Sequence, residues 1–444
     1  MKNLQHYVYW AIDALLHKGA LRKEIKAQER QLDLMGRDPL QAYEKQRQRL
    51  DEILSLVCKK IPYYKNTSPQ DLERFPVITK DLIRSDYWSF QNPDLNIEKM
   101  KKYHTSGSTG TPFYVAYSPS KLLANRASLL VDYMQKGYTL GDRLYYFRAW
   151  NDLNTYSKIK TLVTNFVMQD ASGTSKNVDD FVAGLANDSI ILTYVSAIMS
   201  YAENISRRRL EEKVRGLVNA IIVSGETLSE EDRSYINKLF QCPVFSRYSN
   251  EENGIIAEQF DMKSSKFRVN TPCMWVEILK INDDKPACPG EIGRVVVTDL
   301  NNDAMPIIRY DTGDLSSYSI GDKIKDSIFY INNIDGCKVD PIVDTRNEPL
   351  NPHYVTVAFW GTGDFISNFQ LIQHSPKHVT LKYIPVDNSI FNSTLVDTKL
   401  KKIFGNDLMI DYEEVDSIPL LRSGKRCFIV NEMCRNSIIE QNNI

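Results

Sequence analysis

The seven cysteines of this 444-residue chain form no CxxC pair and no ligand spacing, which argues against a structural zinc site. An odd number of scattered thiols reads as free cysteine in a reducing compartment. Charge of one sign is also lacking: the net charge is −1, so no global electrostatic case exists for nucleic acid or an anionic membrane as partner. No apolar run approaches the roughly 18 residues of a membrane span. The stretch from Tyr7 to Leu16 contains Asp13, ends at His17-Lys18 and has no small-residue cleavage site, so no signal peptide is expected and the expected location is the cytoplasm. No Gly-x-Ser-x-Gly elbow announces a Ser/His/Asp triad. Internal repeats and low-complexity segments are missing too.

What remains is an ordinary globular composition, 42% apolar and 25% charged, in a chain too long for one core. Two or more domains are expected. Residues 1–60 are helix-rich: Tyr43 to Lys60 places Leu50, Ile53, Leu54 and Val57 at helical spacing, and Pro62 stops it. From about residue 100, β-branched runs alternate with helical ones. Phe113–Tyr117 reads as a strand, Pro119 to Lys136 as a helix, Asn187 to Thr193 and Val218 to Ser224 as strands, and Glu230 to Phe240 as a helix. That alternation predicts an α/β fold with a largely parallel sheet. After Gly290 hairpin-like strands are expected at Arg294 to Thr298, Ile307 to Tyr310 and Ile328 to Ile331. Residues 340–444 mix strands with helices, including strands at Val379 to Ile384 and Arg426 to Val430, and read as a small α+β domain behind a hinge.

Chemistry concentrates in four places. Thr105-Ser106-Gly107-Ser108-Thr109-Gly110-Thr111-Pro112 cannot build a core, but it offers backbone N–H groups and hydroxyls to a polyphosphate. A linker shares that composition; this cluster is tight and runs straight into a strand, where a fixed functional loop belongs. It is not a Walker loop, because the Gly-Lys-Ser/Thr ending is missing. Pro306-Ile-Ile-Arg309-Tyr310-Asp311-Thr312-Gly313-Asp314 presents a carboxylate at a turn, suited to both vicinal hydroxyls of a ribose or simply to a turn. Tyr248-Ser-Asn-Glu251-Glu252-Asn-Gly254 is a polar turn whose carboxylates suit Mg²⁺ beside phosphate, or merely face solvent. Leu421-Arg-Ser-Gly424-Lys425 carries a lysine on a turn, the usual setting of an exposed charge. The run Tyr145-Tyr-Phe-Arg148-Ala-Trp150 is aromatic enough either for core or for a pocket wall, with Arg148 available to a carboxylate. His104, beside the loop, reads better as a structural histidine than as a substrate contact.

Together and in this order, these pieces resemble the adenylate-forming superfamily, in particular its branch of phenylacetate–CoA ligases and CapK-type capsule-biosynthesis proteins. The resemblance extends over most of the chain. Phe75-Pro-Val-Ile-Thr-Lys80 resembles the branch's N-terminal signature, and Thr105 to Pro112 its phosphate loop, without the lysine that usually follows it. Ser224-Gly225-Glu226 is similar to the adenine-side turn, Tyr248 with Glu252 to the aromatic-plus-acid motif, and Gly290-Glu-Ile-Gly293 with Thr298-Asp-Leu300 to the strand pair before the Thr-Gly-Asp motif. The implied architecture is α/β: a large multi-sheet N-terminal adenylation domain over 1–335, with 1–60 as a helical lead-in, then a small mobile α+β domain over 336–444 with its hinge near 336–340.

By the same resemblance Ser106, Gly107, Ser108, Thr109 and Gly110 hold the phosphates of ATP. Gly225 and Glu226 border adenine, Tyr248 stacks on it, Asp314 takes the ribose and Glu252 faces Mg²⁺. Lys425 meets the reacting carboxylate and the α-phosphate. The implied activity is activation of a small carboxylic acid as an acyl-adenylate with release of pyrophosphate, then transfer to CoA, a carrier-protein thiol or an amine. Envelope polysaccharide synthesis is the setting that branch suggests. A homodimer is compatible with this, and nucleic acid and membrane spans are not expected. Two rivals stand beside it: nucleotidyl transfer leaving AMP on a hydroxyl acceptor, and a non-catalytic nucleotide-binding homologue. The chain departs from the pattern at the hinge, where Gly336-Cys337-Lys338 replaces the usual Gly-Arg, and at Asp311, where many synthetases carry arginine.

Overall fold

The computed structural model describes the chain except residues 1–5, 8, 12, 15–17, 70, 106–112, 149, 151–154, 158–160, 163, 263, 282, 335–341, 351–354, 356–357, 360–361, 363–364, 387–388, 419–427 and 434–444. The phosphate loop Ser106 to Gly110, the Gly336-Cys337-Lys338 stretch and Lys425 therefore lie outside the described residues.

After a helical stretch among residues 6–14 come two long helices, α1 (Ala20–Arg37) and α2 (Pro39–Lys60). The break between them is local: Pro39 sits at the first helical position of α2, and the Asp38 side chain accepts the Gln41 backbone N–H at 3.1 Å. The expected stripe of Leu50, Ile53, Leu54 and Val57 is buried. The segment after Pro62 crosses to the far end of the sequence. Ile78 N–H donates to the Arg309 carbonyl and Asp311 N–H to the Ile78 carbonyl, both at 2.9 Å. A short helix follows, α3 (Lys80–Ser85), capped by Thr79. The hairpin of β1 (Lys101–Thr105) and β2 (Phe113–Tyr117) brackets the Ser/Gly/Thr run and leads into α4 (Pro119–Gln135).

The largest sheet contains β3 (Leu144–Arg148), β4 (Phe166–Asp170), β5 (Ser189–Thr193), β6 (Val218–Ser224), β7 (Val244–Asn250), β8 (Gly254–Glu258) and β9 (Phe267–Val269). Between them run α5 (Ser175–Gly184), α6 (Val195–Arg207) and α7 (Glu230–Phe240). Beyond them lie β10 (Met274–Leu279), β11 (Gly293–Asp299), β12 (Tyr310–Ser316), β13 (Lys323–Ile324), β14 (Ser327–Ile328) and β15 (Tyr330–Ile331). The strand order is β15-β9-β8-β7-β6-β5-β3-β4, with the five from β7 to β4 parallel. Parallel strands are covered on both faces, so they read as continuous apolar runs such as Ile190-Ile-Leu192 and Ala220-Ile-Ile-Val223, all buried. β10, β11 and β12 form a separate antiparallel sheet.

Residues 342–431 build a third unit with its own core around Phe369, Leu371, Leu381, Leu400 and Phe404. After the short pair β16 (Ile342–Val343) and β17 (Pro349–Leu350) come the antiparallel hairpin β18 (Ile366–Ser375) and β19 (His378–Pro385). Helix α8 (Ser393–Phe404) then returns the chain for β20 (Met409–Glu414), parallel to β19, and β21 (Ile429–Asn431) closes the sheet parallel to β18.

The fold is thus α/β with a large multi-strand sheet and a small C-terminal α+β sheet, as expected. Two strands differ from the sequence reading. Ile307 to Arg309 is not strand: Arg309 sits at φ +51°, its peptide turned out of the extended region, and β12 starts only at Tyr310. Ile328 to Ile331 divides at Phe329 into β14 and β15, which belong to different sheets. Among the described residues no helix is long and apolar enough to cross a membrane.

Candidate active site at the ends of the parallel strands

The C-terminal ends of β3, β5, β6 and β7 deliver Arg148, Thr193-Tyr194, Ser224-Gly225-Glu226 and Asn250-Glu251-Glu252 to one edge of the sheet. In open parallel sheets this edge is where ligands bind, because the loops there are unconstrained by the crossover helices. Gly225 is at φ +82°, a conformation that a side chain would strain, and the space beside it is walled by the Tyr194 ring. The Glu226 carboxylate is already committed. It accepts the Ser196 N–H at 2.6 Å and the Ser196 hydroxyl at 2.7 Å, capping the start of α6, where Tyr194 supplies no side-chain cap of its own. A nucleotide bordered by this turn therefore meets its backbone rather than the Glu226 carboxylate.

Thr312-Gly313-Asp314 proves to be a bulge within β12, not a turn. Arg294 pairs with Leu315 and Val296 with Asp311, so three residues of β12 face one of β11. Gly313 takes φ +73° and its N–H is held by the Asp311 carboxylate at 2.8 Å. Asp311 in turn pairs with Arg294 at 2.8 Å, a structural partnership for the residue that departs from the synthetase pattern. The bulge aims Asp314 at Tyr248 on β7. The Tyr248 hydroxyl is 2.8 Å from Asp314 Oδ2 and 3.0 Å from Thr312 Oγ1. Burial, and then the Asp314 charge, push this phenol far above its ordinary range, so it remains a donor.

Glu251 and Glu252 part company. Glu251 is exposed and lies 3.5 Å from Arg148, whereas Glu252 is 4% exposed and so is no solvated acid. Glu252 Oε1 accepts the Tyr310 hydroxyl at 3.1 Å and lies 3.1 Å from Lys80 Nζ. Its other oxygen takes no hydrogen bond from the described residues. The turn is fixed from beneath by the buried Lys121, whose ammonium holds the Asn253 carbonyl and sits 2.7 Å from Asp299. Two hydrogen-bonded pairs, Asp314–Tyr248 and Tyr310–Glu252, thus join β12 to β7 and the turn after it, and Ser224 is linked to β7 through Ser249 at 2.9 Å.

Sequence reasoning missed Lys80 and Tyr310 as members of this site, although both stand inside motifs already singled out. It also left Arg309 without a role. That side chain is 2% exposed, forks onto both oxygens of Glu277 at 3.0 and 3.1 Å, and holds the Glu73 and Phe75 carbonyls, pinning the N-terminal signature to β12. Around Arg148 an aromatic wall forms: Trp150, Tyr156 and Phe166 contact one another edge-on, and the guanidinium lies over the Tyr146 ring.

No three His, Cys, Asp or Glu side chains among the described residues gather as a metal cage. One buried carboxylate with an uncommitted oxygen still fits Mg²⁺, which takes one or two carboxylates and fills its remaining positions with phosphate oxygens and water.

Comparison with known proteins bears on most of the chain. The model of the CapK C-terminal domain matches residues 342–432. Protein CapK of Staphylococcus aureus is 24% identical over 429 residues, covering 88% of this chain and 89% of the relative. The phenylacetate-coenzyme A ligase of Escherichia coli (strain K12) is 23% identical over 305 residues, 63% of this chain and 67% of the relative. Among solved structures, 2-hydroxyisobutyryl-CoA ligase with 2-HIB-AMP and CoA in the thioesterification state superposes with a TM-score of 0.58 at 15% identity, covering 90% of this chain and 92% of that one. The same ligase in the postadenylation state gives 0.55 at 14% identity, covering 89% and 91%. That likeness is one of fold.

Proposed function

The chain belongs to the adenylate-forming family of CapK and the phenylacetate–CoA ligases, and from that premise we propose that it activates a small carboxylic acid with ATP and passes the acyl group to the thiol of CoA. The carboxylate attacks the α-phosphorus in line, the bond to the β-phosphate oxygen breaks, and pyrophosphate leaves. The thiol then attacks the acyl carbon, and AMP departs. Little covalent chemistry falls to the protein, which holds the reactants and neutralises charge.

The observation that carries this reading is that two hydrogen-bonded pairs, Asp314–Tyr248 and Tyr310–Glu252, bring β12 against the C-terminal end of β7 and the turn after it. Asp314 accepts ribose hydroxyls, oriented by Tyr248. The Gly225–Glu226 backbone borders the base. Glu252 would hold Mg²⁺, which would supply charge neutralisation at the phosphates. The loop from Ser106 to Gly110 cradles those phosphates through its N–H groups. The C-terminal domain, taken as 336–444 with a hinge near 336–340, brings Lys425 in for the first half-reaction and rotates for the second. The likeness to CapK extends the proposal to capsule or envelope polysaccharide synthesis, with a carrier-protein thiol or an amine as alternative acceptor and the cytoplasm as location.

Pyrophosphate exchange into ATP, screened over a panel of carboxylic acids, tests the reading. Exchange that requires an acid supports it. Exchange driven instead by a hydroxyl acceptor would point to nucleotidyl transfer, and no exchange with ATP bound would leave a binding protein.

A further inference from the structure

The signature Phe75 to Lys80 has no part in the mechanism above, yet the fold carries it to the centre of the site. Ile78 is bonded through its backbone to Arg309 and Asp311, and the Arg309 guanidinium grips the Glu73 and Phe75 carbonyls. Thr79 caps the helix that Lys80 begins. The position of Lys80 is thus set by the strand that presents Asp314. Its ammonium lies 3.1 Å from Glu252 Oε1, the oxygen that also accepts the Tyr310 hydroxyl. The Glu252 side chain is 5% exposed and that of Lys80 27%, so the acid is buried while the lysine reaches the solvent side of the pair.

We propose that Lys80 is a nucleotide-binding cation that exchanges partners, neutralising Glu252 in the empty site and moving onto the triphosphate when a divalent cation takes that carboxylate. This rests on the nucleotide reading of the site. Two cations on one buried carboxyl group repel each other, so a metal arriving on the other oxygen of Glu252 weakens the hold of the carboxylate on the ammonium and favours its transfer to an incoming anion. The anion that arrives with the metal is the triphosphate, and the loop Thr105 to Pro112 contains no basic residue to meet it. A lysine is suited to the exchange, being a compact charge on a flexible four-carbon stem. A purely structural ion pair would stabilise the fold and leave nucleotide and metal affinities alone.

Calorimetry on the full chain separates the two. K80M should bind Mg·ATP about tenfold more weakly or worse, the loss expected for one charge-assisted contact, while K80R should stay within about threefold of the parent. Without nucleotide, Mn²⁺ should bind K80M more tightly than the parent, because Glu252 is no longer occupied. Should the unpaired Glu252 unfold K80M, E252Q and the double variant K80M/E252Q isolate the same contact with no buried charge left alone, and the double should again be about tenfold weaker for ATP. Equal ATP affinity in either comparison, or Mn²⁺ affinity unchanged by K80M, overturns the exchange. A parent that binds no ATP overturns the nucleotide reading itself.

Discussion

The Tyr248 hydroxyl, 2.8 Å from Oδ2 of Asp314, joins the end of a parallel strand in one sheet to a bulge in another. The contact fixes which way the carboxylate faces, and a carboxylate must be correctly turned to accept two vicinal hydroxyls at once. Asp314→Ala should weaken ATP binding by about 2–4 kcal/mol and abolish the preference for ATP over 2′,3′-dideoxy-ATP. Tyr248→Phe leaves the carboxylate but removes this orienting bond, so it should raise KM for ATP several-fold, narrow that preference and change kcat little. If Y248F discriminates between the two nucleotides as well as the parent does, Tyr248 does not position Asp314.

A second expectation concerns the support under Glu252. Lys121 is buried against Asp299 and the Asn253 carbonyl, so Lys121→Met leaves a carboxylate inside the protein without its cation. Breaking a buried pair from one side costs about 3–5 kcal/mol. Urea unfolding should show a loss of that size. A loss below about 1 kcal/mol would mean that water replaces the ammonium and that the turn is not held from beneath.

The sheet conceals a pH dependence of definite sign. Lys136 bonds both Asp132 and Glu258, with Arg268 2.6 Å from Glu258 and Arg247 beside Asp132. Burial, and then the Asp132 charge, push Glu258 up to about 7 against the pull of Lys136. For Asp132 burial acts the same way but is outweighed by Lys136, Glu258 and Arg247, so it stays ionised below the usual carboxylate range. A raised folded value means that Glu258 contributes stability fully present below its unfolded value near 4.5 and lost as pH rises through about 7. Thermal unfolding of the parent should therefore weaken between pH 5 and 8, on the order of 1–3 kcal/mol, whereas Glu258→Gln should be flat across that window. The Asp132 contribution falls in a separate window below pH 4. Parallel slopes for the two proteins would mean that Glu258 is ionised throughout.

Element types were legible wherever packing follows local pattern. The stripe of α2 and the apolar runs of β5 and β6 declare their burial in their spacing. The misses share a cause: each depends on a partner far away in sequence. Arg309 leaves the extended region because its guanidinium is satisfied by Glu277, Glu73 and Phe75, and nothing near residue 309 announces that. Thr312 to Asp314 looks like a turn locally and becomes a bulge only when β11 supplies one residue opposite three. Glu252 reads as solvated until Lys80, more than 170 positions earlier, pairs with it. Glu226 was legible as a site position but not as the cap of α6, since Ser196 lies 30 residues upstream. Of the motif residues, Gly225, Glu226, Tyr248 and Glu252 lie on or just beyond neighbouring parallel strands, and Asp314 meets Tyr248 from the second sheet; the roles assigned to them are what the measurements above decide.

The last expectation is that Lys425 serves the adenylation step. As the carboxylate approaches the α-phosphate two anionic groups converge, and a cation between them stabilises the transition state more than either ground state. A long-stemmed point charge on a small domain can be inserted and withdrawn, as two half-reactions at one site require. The residues on either side suit this placement: Ser423-Gly424 precedes it, and β21, which begins at Ile429, anchors the following chain beside β18. The opposing reading, an exposed lysine near a chain end, predicts almost no effect of its removal. Lys425→Ala should cut carboxylate-dependent pyrophosphate release roughly 100-fold or more, the scale of losing one preorganised charge partner. ATP affinity should barely change, because the proposal assigns the nucleotide to residues of the large domain. Transfer to CoA from a separately supplied acyl-adenylate should persist, because the lysine is withdrawn for that step. Near-normal pyrophosphate release by the variant would remove Lys425 from the adenylation step, and loss of both half-reactions together would mean that its removal harms the protein rather than that step.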